Sequence, residues 1–228
     1  MGQHISYGRQ GQTRFGYLAV PPAGRGPGVV VLQEWWGLVG HIIGAVNRLA
    51  RTGYVALAPD LYRGARAGDL DGARKLALGL AMDQATIEIA DASGYLARYC
   101  TDRDRIGAVG FGMGGSLALW SPALVEEVVV AVGFYPPRAS IAPRWDKYEG
   151  KLAMIHAAEG DGGSAAPGIT EAVASITAVG GKAEVYDYPG THHAFCNDEQ
   201  PEVYHPAAAA LAWSRTLDVL GRQLGEPA

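Results

Sequence analysis

Residues 110–114 have the sequence pattern of a turn that presents a nucleophile, but a glycine stands at the position of the nucleophile. The run Gly-Phe-Gly-Met-Gly matches the G-x-S-x-G frame of a nucleophile elbow, except that Gly112 stands where Ser or Cys is required. The elbow is a sharp strand-to-helix turn whose central residue takes a backbone conformation that glycine adopts without penalty. The sequence therefore predicts a turn that keeps its shape and lacks the attacking atom.

The same glycines allow two other interpretations. Gly110, Gly112 and Gly115 also satisfy G-x-G-x-x-G, the fingerprint of a dinucleotide-binding turn. That fingerprint requires an acidic residue at the end of the next strand, whereas Glu126 and Glu127 precede that strand. A dinucleotide-dependent oxidoreductase is therefore disfavoured, and a purely structural turn stays open.

An acid and a histidine follow the glycine turn in the order that elbow enzymes use. Asp161 comes after the apolar run KLAMIH, and His193 comes after KAEVYDY. Each residue alone has a common structural explanation, since Asp forms turns in Gly-rich loops and His often packs after Pro-Gly. Together, in this order and at these places, they predict an acid–histidine pair that serves the elbow.

Short apolar runs alternate with helical patterns, and this alternation predicts the fold. After an N-terminal strand pair within residues 6–20, predicted strands cover 28–33, 54–59, 105–111, 127–135, 151–156 and 182–189. Predicted helices cover 41–52, 84–100, 114–121, 167–180 and 205–224, and the Gly-rich segment 160–168 is predicted to be a flexible loop. We therefore predict an α/β fold, a single domain over residues 1–228 with a mostly parallel sheet and helices on both faces.

Composition and charge exclude several partners. The 228 residues are 48% hydrophobic and 18% charged, and the formal net charge is −4 without any run of Lys and Arg. Neither nucleic acid nor a membrane surface is expected to bind such a chain. Cys100 and Cys196 lie too far apart in sequence for a metal-type or redox-type pair, which favours reduced thiols in a cytoplasmic, bacterial protein.

Four stretches of the chain resemble the dienelactone hydrolase family of the α/β-hydrolase fold: VVVLQEWWGL, GYVALAPDLY, GAVGFGMGGSLAL and YPGTHHAFCND. The run HAAEGD adds weaker support, and together the stretches extend from residue 29 to residue 198. The resemblance implies a hydrolase of small lactones and esters that uses no cofactor or metal. A Cys nucleophile is typical of that family.

The resemblance also implies roles for individual residues. His193 matches the general base, Asp161 the acid that orients it, and Glu34 an extra carboxylate that assists the nucleophile. The backbone N–H groups of Trp35 and Met113 match an oxyanion hole. The pocket residues implied are Trp36, Tyr62, Arg63, Tyr135 and Phe195. Arg63 could pair with a substrate carboxylate or face solvent, and the sequence does not decide between the two.

The departure from the family is Gly112, because an acyl-enzyme requires a side-chain nucleophile. Ser116 is disfavoured as a substitute because it lies one turn into the following helix, and Cys196 because it is better explained as a packed thiol. A metal site built from His156, Glu159, Asp161 and His193 is disfavoured because these residues lack a ligand spacing.

Three hypotheses of function follow, all for a small-molecule substrate and a monomer or small homo-oligomer. The chain could be an inactivated variant of a hydrolase, or a natural enzyme that works without a covalent step. In the second case His193 could act as a general base on water or on an acidic C–H, which includes isomerase, lyase or cyclase chemistry. The third is a non-catalytic protein that binds small molecules in the same pocket.

Overall fold

A computed structural model describes residues 2–8, 12–137 and 144–227. Eight strands lie within these residues: β1 (Gln3–Tyr7), β2 (Arg14–Ala19), β3 (Gly28–Leu32), β4 (Val55–Pro59), β5 (Ile106–Phe111), β6 (Val128–Phe134), β7 (Leu152–Ala158) and β8 (Lys182–Tyr188). Six α-helices accompany them: α1 (Gly40–Arg51), α2 (Leu70–Gly79), α3 (Met82–Leu96), α4 (Met113–Leu124), α5 (Pro167–Ala178) and α6 (Pro206–Leu224).

All eight strands form one sheet, in the order β1-β2-β4-β3-β5-β6-β7-β8. The strands from β4 to β8 in that order are parallel, and β2 pairs antiparallel with both β1 and β4. The mostly parallel sheet predicted from the alternating pattern is confirmed.

Apolar side chains on both faces of the central strands explain why helices cover both sides. In β3, Val29 and Val31 belong to the core that α1 and α6 cover, whereas Val30 and Leu32 belong to the core that α3 and α4 cover. A third cluster joins α5 to β6 and β7 on the same side as α4. Parallel strands that are buried on both faces have this near-continuous apolar pattern.

Two local features differ from the sequence prediction. Helix α2 was not predicted; its N-terminus is capped by Asp69, whose side chain accepts a hydrogen bond from the Gly72 N–H. The segment 160–168, predicted to be a loop, contains 3-10 turns over Glu159–Asp161 and Gly163–Ala165 before α5 begins. Strand β8 lies at the sheet edge and is only partly buried.

The sheet brings the carboxyl ends of five neighbouring strands to one edge. Glu34 follows β3, Gly112 follows β5, Tyr135 follows β6, Asp161 follows β7 and His193 follows β8. Because these strands are parallel and adjacent, residues far apart in the sequence meet at this edge, where open α/β sheets bind ligands.

Candidate active site

Gly112 has the backbone conformation of a strained turn. Its φ is 52° and its ψ is −119°, a region that side-chain-bearing residues rarely adopt. Hydrogen bonds hold this turn on both sides: the Gly112 N–H donates to the Phe134 carbonyl, and the Ser116 N–H donates to the Gly112 carbonyl (3.0 and 3.2 Å). The conformation predicted for an elbow with glycine at its centre is thus present.

The flanking glycines allow strand β5 and helix α4 to pack closely. A Cβ on Gly110 would overlap the Gly114 carbonyl, and a Cβ on Gly114 would overlap the Leu32 carbonyl. Backbone atoms cannot move aside as a flexible side chain can, so only glycine fits at both positions. Close strand–helix packing therefore accounts for these glycines without any bound dinucleotide.

A side chain at position 112 would face His193 and Glu34. An ideal Cβ built on Gly112 would lie 3.5 Å from His193 Nε2 and 3.9 Å from Glu34 Oε1, both ordinary contact distances. The position is therefore strained in its backbone but open in space. An imidazole nitrogen and a carboxylate oxygen converge on the place where an elbow presents its nucleophile.

His193 and Asp161 form the pair that the sequence predicts. His193 Nδ1 and Asp161 Oδ2 are 2.7 Å apart, and the two side chains are 47% and 38% exposed, so a ligand can reach them. The imidazole lies edge-on to the Tyr135 ring, with 5.0 Å between the ring centroids. The bond at Nδ1 leaves Nε2 as the nitrogen that faces Gly112.

Hydrogen bonds join the loop of Asp161 to the loop of His193. The Gly160 N–H donates to the Thr191 carbonyl (2.9 Å), and the Gly190 N–H donates to Glu159 Oε2 (2.7 Å). Further along, Ser164 donates through its N–H and its hydroxyl to the two carboxylate oxygens of Asp187 (2.6 Å each). These contacts hold the acid against the histidine although the segment is rich in glycine.

Glu34 is a buried carboxylate, 3% exposed, beside the elbow. Its Oε2 accepts a hydrogen bond from Asn197 Nδ2 (3.2 Å), whereas Oε1 has no hydrogen bond of normal geometry among the described residues. Burial and the approach of Glu34 raise the pKa of Tyr135 well above its ordinary value, so its phenol stays protonated. Asn197 was not predicted as a site residue, because an Asn carries no motif of its own.

Two backbone N–H groups beside the elbow have no partner in the described part of the chain. Met113 begins helix α4 directly after Gly112, and Trp35 follows Glu34. Neither N–H donates to another protein group within the described ranges. The first N–H groups of a helix lack intrahelical acceptors and favour negative charge, so Met113 is suited to bind an oxyanion.

The five predicted pocket residues lie in different environments. Tyr62 donates its hydroxyl to Met113 Sδ (3.4 Å), and Trp36 is half-buried with its ring edge-on to Trp35, the ring centroids being 5.7 Å apart. Arg63 is exposed. Burial raises the pKa of Glu88, and the charge of Arg63 is a smaller effect that lowers it.

The last two predicted pocket residues, Tyr135 and Phe195, are both buried. Tyr135 contacts His193, and Phe195 lies fully buried with its ring against Tyr135 and Tyr188. Phe195 thus packs behind Tyr135 in this structure.

A cavity of about 490 Å³, which was not predicted from the sequence, opens beside the pair. His193, Asp161 and Tyr135 form part of its wall, and the rest comes mainly from α4, α5 and the ends of β6 and β7. Ser116 also borders it, but its hydroxyl donates to the Pro137 carbonyl (2.8 Å). The gap depends on how two helices pack, which no local motif records.

The metal site considered from the sequence requires His156, which is engaged elsewhere. His156 is fully buried, its Nε2 lies 2.9 Å from Thr216 Oγ1, and its Nδ1 lies 2.8 Å from the Tyr188 hydroxyl. Burial and the charge of Arg215 lower its pKa to about 3, so the ring is neutral at physiological pH. Within the described ranges no group of three or more His, Cys, Asp or Glu residues could hold a metal ion.

The charge of Asp161 is expected to set the pH at which His193 titrates. Burial lowers the pKa of His193, but the hydrogen bond and charge of Asp161, with Glu34, raise it above the ordinary value overall. Any base activity of His193 should therefore be lost as the pH falls through this raised pKa. Asp161→Asn should move the midpoint to lower pH, as measured by NMR of the imidazole nitrogens.

The same substitution at the exposed Asp198 is the control for that titration, because this carboxylate lies in the loop that follows His193. An unchanged midpoint in Asp161→Asn would show that the carboxylate does not act on His193 in solution.

The chain is similar to known proteins over almost its whole length. The model of the "Dienelactone hydrolase family" matches residues 15–224. "Protein usf" of Aquifex pyrophilus is 31% identical, and the match covers 95% of this chain and 96% of that protein. A "Putative carboxymethylenebutenolidase" of Aquifex aeolicus is 32% identical, with coverages of 96% and 97%.

Solved structures show the same similarity. The crystal structure titled "Putative Dienelactone Hydrolase" from Klebsiella pneumoniae superposes with a TM-score of 0.82 at 25% identity, over 96% of this chain and 97% of that chain. The α/β-hydrolase fold implied by the resemblance is thereby confirmed. In the described part of the chain, no helix is both long and apolar enough to cross a membrane.

Proposed function

The chain belongs to the dienelactone hydrolase family, and we propose that it hydrolyses small esters or lactones by direct attack of water. The observation that carries the proposal is the 3.5 Å distance from His193 Nε2 to the Cβ position of Gly112. In this proposal His193 is the general base, and its Nε2 faces the position at which a typical member of the family carries its nucleophile. A water molecule beside Gly112 can take the place of the thiol.

His193 acts as general base in this proposal. A water molecule gives a proton to Nε2 while its oxygen attacks the substrate carbonyl, and the proton then passes to the leaving oxygen. Asp161 Oδ2, 2.7 Å from His193 Nδ1, accepts a hydrogen bond from the Nδ1–H and stabilises the imidazolium that forms. A positioned general base typically contributes a factor of roughly 10² to 10⁴ in rate.

The backbone N–H groups of Trp35 and Met113 stabilise the oxyanion that forms in the attack. Their free donors support this role, because donors fixed in place before the reaction need no reorganisation. Glu34 Oε1 accepts a hydrogen bond from the attacking water and orients it, since that oxygen has no hydrogen bond of normal geometry among the described residues. Gly112 contributes by leaving the space open.

The side chains around these groups bind the substrate. We assign Trp36 and Tyr62 to the elbow side, because Tyr62 touches Met113. Tyr135 lines the His193 side, with Phe195 supporting it from behind. Arg63 is assigned to the outer edge, where its exposed guanidinium can meet an anionic substrate group. The name of the Aquifex aeolicus relative favours a small unsaturated lactone as the first compound to test.

Proton transfer without hydrolysis is the second candidate. It is favoured by the convergence of two proton acceptors, His193 Nε2 and Glu34 Oε1, on one position. The same oxyanion donors would then stabilise an enolate. Deuterium uptake into an unhydrolysed carbonyl substrate in D₂O distinguishes this isomerase-type reaction from ester hydrolysis.

Insensitivity to nucleophile reagents tests the proposal. We expect the protein to hydrolyse phenyl acetate faster than buffer alone. Neither a fluorophosphonate nor iodoacetamide should change that rate. The two cysteines are free but buried, and burial raises the pKa of Cys196 well above its ordinary value, which disfavours alkylation. Stoichiometric inactivation by either reagent would reveal a side-chain nucleophile and overturn the water mechanism.

A further inference from the structure

We infer that the cavity beside His193 binds an uncharged, apolar group of the substrate, with the bulk of one or two aromatic rings, and selects against a carboxylate there. The inference rests on the proposed function, because it assigns a substrate class to the same site. It commits to one occupant, the apolar part of the ester or lactone undergoing hydrolysis.

The cavity adjoins the reacting groups directly. His193, Asp161 and Tyr135 belong both to the candidate active site and to the cavity wall. A substrate whose carbonyl lies beside His193 therefore has one substituent at the mouth of the cavity. The cavity is therefore placed to hold one substituent of the ester or lactone that reacts beside His193.

The wall of the cavity is built for an apolar guest. Apolar side chains from α4, α5, β7 and the segment before β7 line it: Leu119, Trp120, Trp145, Ile155 and Ile169. Its volume of about 490 Å³ falls within the range of small-molecule sites, about 300 to 1,000 Å³. Two indole rings favour aromatic guests, since aromatic pairs gain energy beyond their burial.

The described wall of the cavity holds two carboxylates and one ionisable base, His193, which is paired with Asp161. Asp161 and Glu171 border the cavity, and none of the described residues that line it is a Lys or Arg. A carboxylate placed in the apolar part of the cavity would lose hydration, find no Lys or Arg among the described lining residues and be repelled by two carboxylates. His193 offers little compensation, because its imidazole is already paired with Asp161. Arg63 does not compensate, because it is not among the described residues that line the cavity.

Binding of matched non-hydrolysable ketones tests the inference. The probes are 2-acetylnaphthalene, which is neutral, and 6-acetyl-2-naphthoate, which adds a carboxylate to the same rings. Quenching of tryptophan fluorescence reports binding, because Trp120 and Trp145 line the cavity. We expect the neutral ketone to bind at least about tenfold more tightly, about 1.4 kcal/mol.

Two substitutions locate the binding. Ala172→Phe places a ring in the cavity and should weaken binding of the neutral ketone at least about tenfold. Ala174→Phe is the matched control, since Ala174 is exposed on the same helix and is not among the described lining residues, and it should leave binding unchanged.

A charge reversal avoids any change of packing. Glu171→Lys, at an exposed position, should leave binding of the neutral ketone unchanged and tighten binding of the naphthoate by about threefold to tenfold. Equal binding of the neutral ketone by both phenylalanine variants, or tighter binding of the naphthoate by the unsubstituted protein, would overturn the inference.

The readout requires no turnover, so the inference and the proposed function can fail separately. Selective binding of the neutral ketone without ester hydrolysis would leave the cavity assignment standing and reject the hydrolytic mechanism. Ester hydrolysis without ketone binding at the cavity would do the reverse.

Discussion

Gly112→Cys is expected to raise kcat/KM for phenyl acetate by at least about 10²-fold and to produce an acyl-enzyme. Removal of the nucleophile from a triad typically costs more than this, because base and oxyanion donors act only partly without it. A Cβ at position 112 would lie 3.5 Å from His193 Nε2, so the new thiol is placed beside the base without a steric clash. Steady-state rates and the intact mass of the protein during turnover measure both effects.

The same substitution should destabilise the fold. With φ at 52° and ψ at −119°, a side chain at position 112 strains the backbone by about 1–3 kcal/mol. Gly112→Ala is the matched control: it should show the same loss in urea unfolding, without the gain in activity. If Gly112→Cys folds and is no more active than Gly112→Ala, the elbow does not present its side chain to His193.

His193→Ala is expected to lower kcat/KM by about 10²- to 10⁴-fold, the usual contribution of a general base. Some rate above buffer should remain, because the backbone donors at Trp35 and Met113 are untouched. The imidazole is 47% exposed, so the change should have little effect on the free energy of unfolding.

His192→Ala is the control for this prediction, since His192 is the exposed neighbour in the same loop. A His193→Ala variant with the activity of the unsubstituted protein would exclude His193 as the base. Loss of activity in both variants would point to the loop rather than to the imidazole.

The sequence was sufficient to place Asp161, His193 and Gly112 near one another. Each follows an apolar run that forms a strand, and parallel neighbouring strands bring their carboxyl ends together whatever the distance along the chain. The glycine at the elbow was interpretable because its conformation follows from the turn rather than from distant contacts. The periodic pattern gives the positions of the strands but not their order, and the structure shows which strands are neighbours in the sheet.

Features that depend on tertiary packing were not predictable. The cavity arises where α4 and α5 leave a gap over β6 and β7, and Phe195 turns into the core behind Tyr135. The hydrogen bond from Asn197 to Glu34 joins residues 163 positions apart. Helix α2 was missed because Gly72 and Gly79 lie within it and only one of its residues, Ala73, is buried.

The first turnover of p-nitrophenyl acetate in stopped flow tests the central claim most directly. The account predicts linear release of p-nitrophenol from the start, because no acyl-enzyme accumulates on Gly112. The rate should be faster than in buffer and about 10²- to 10⁴-fold lower in His193→Ala. A burst equal to the protein concentration would reveal a side-chain nucleophile elsewhere in the chain. A rate no faster than buffer would show that the site does not activate water, and either result contradicts the account.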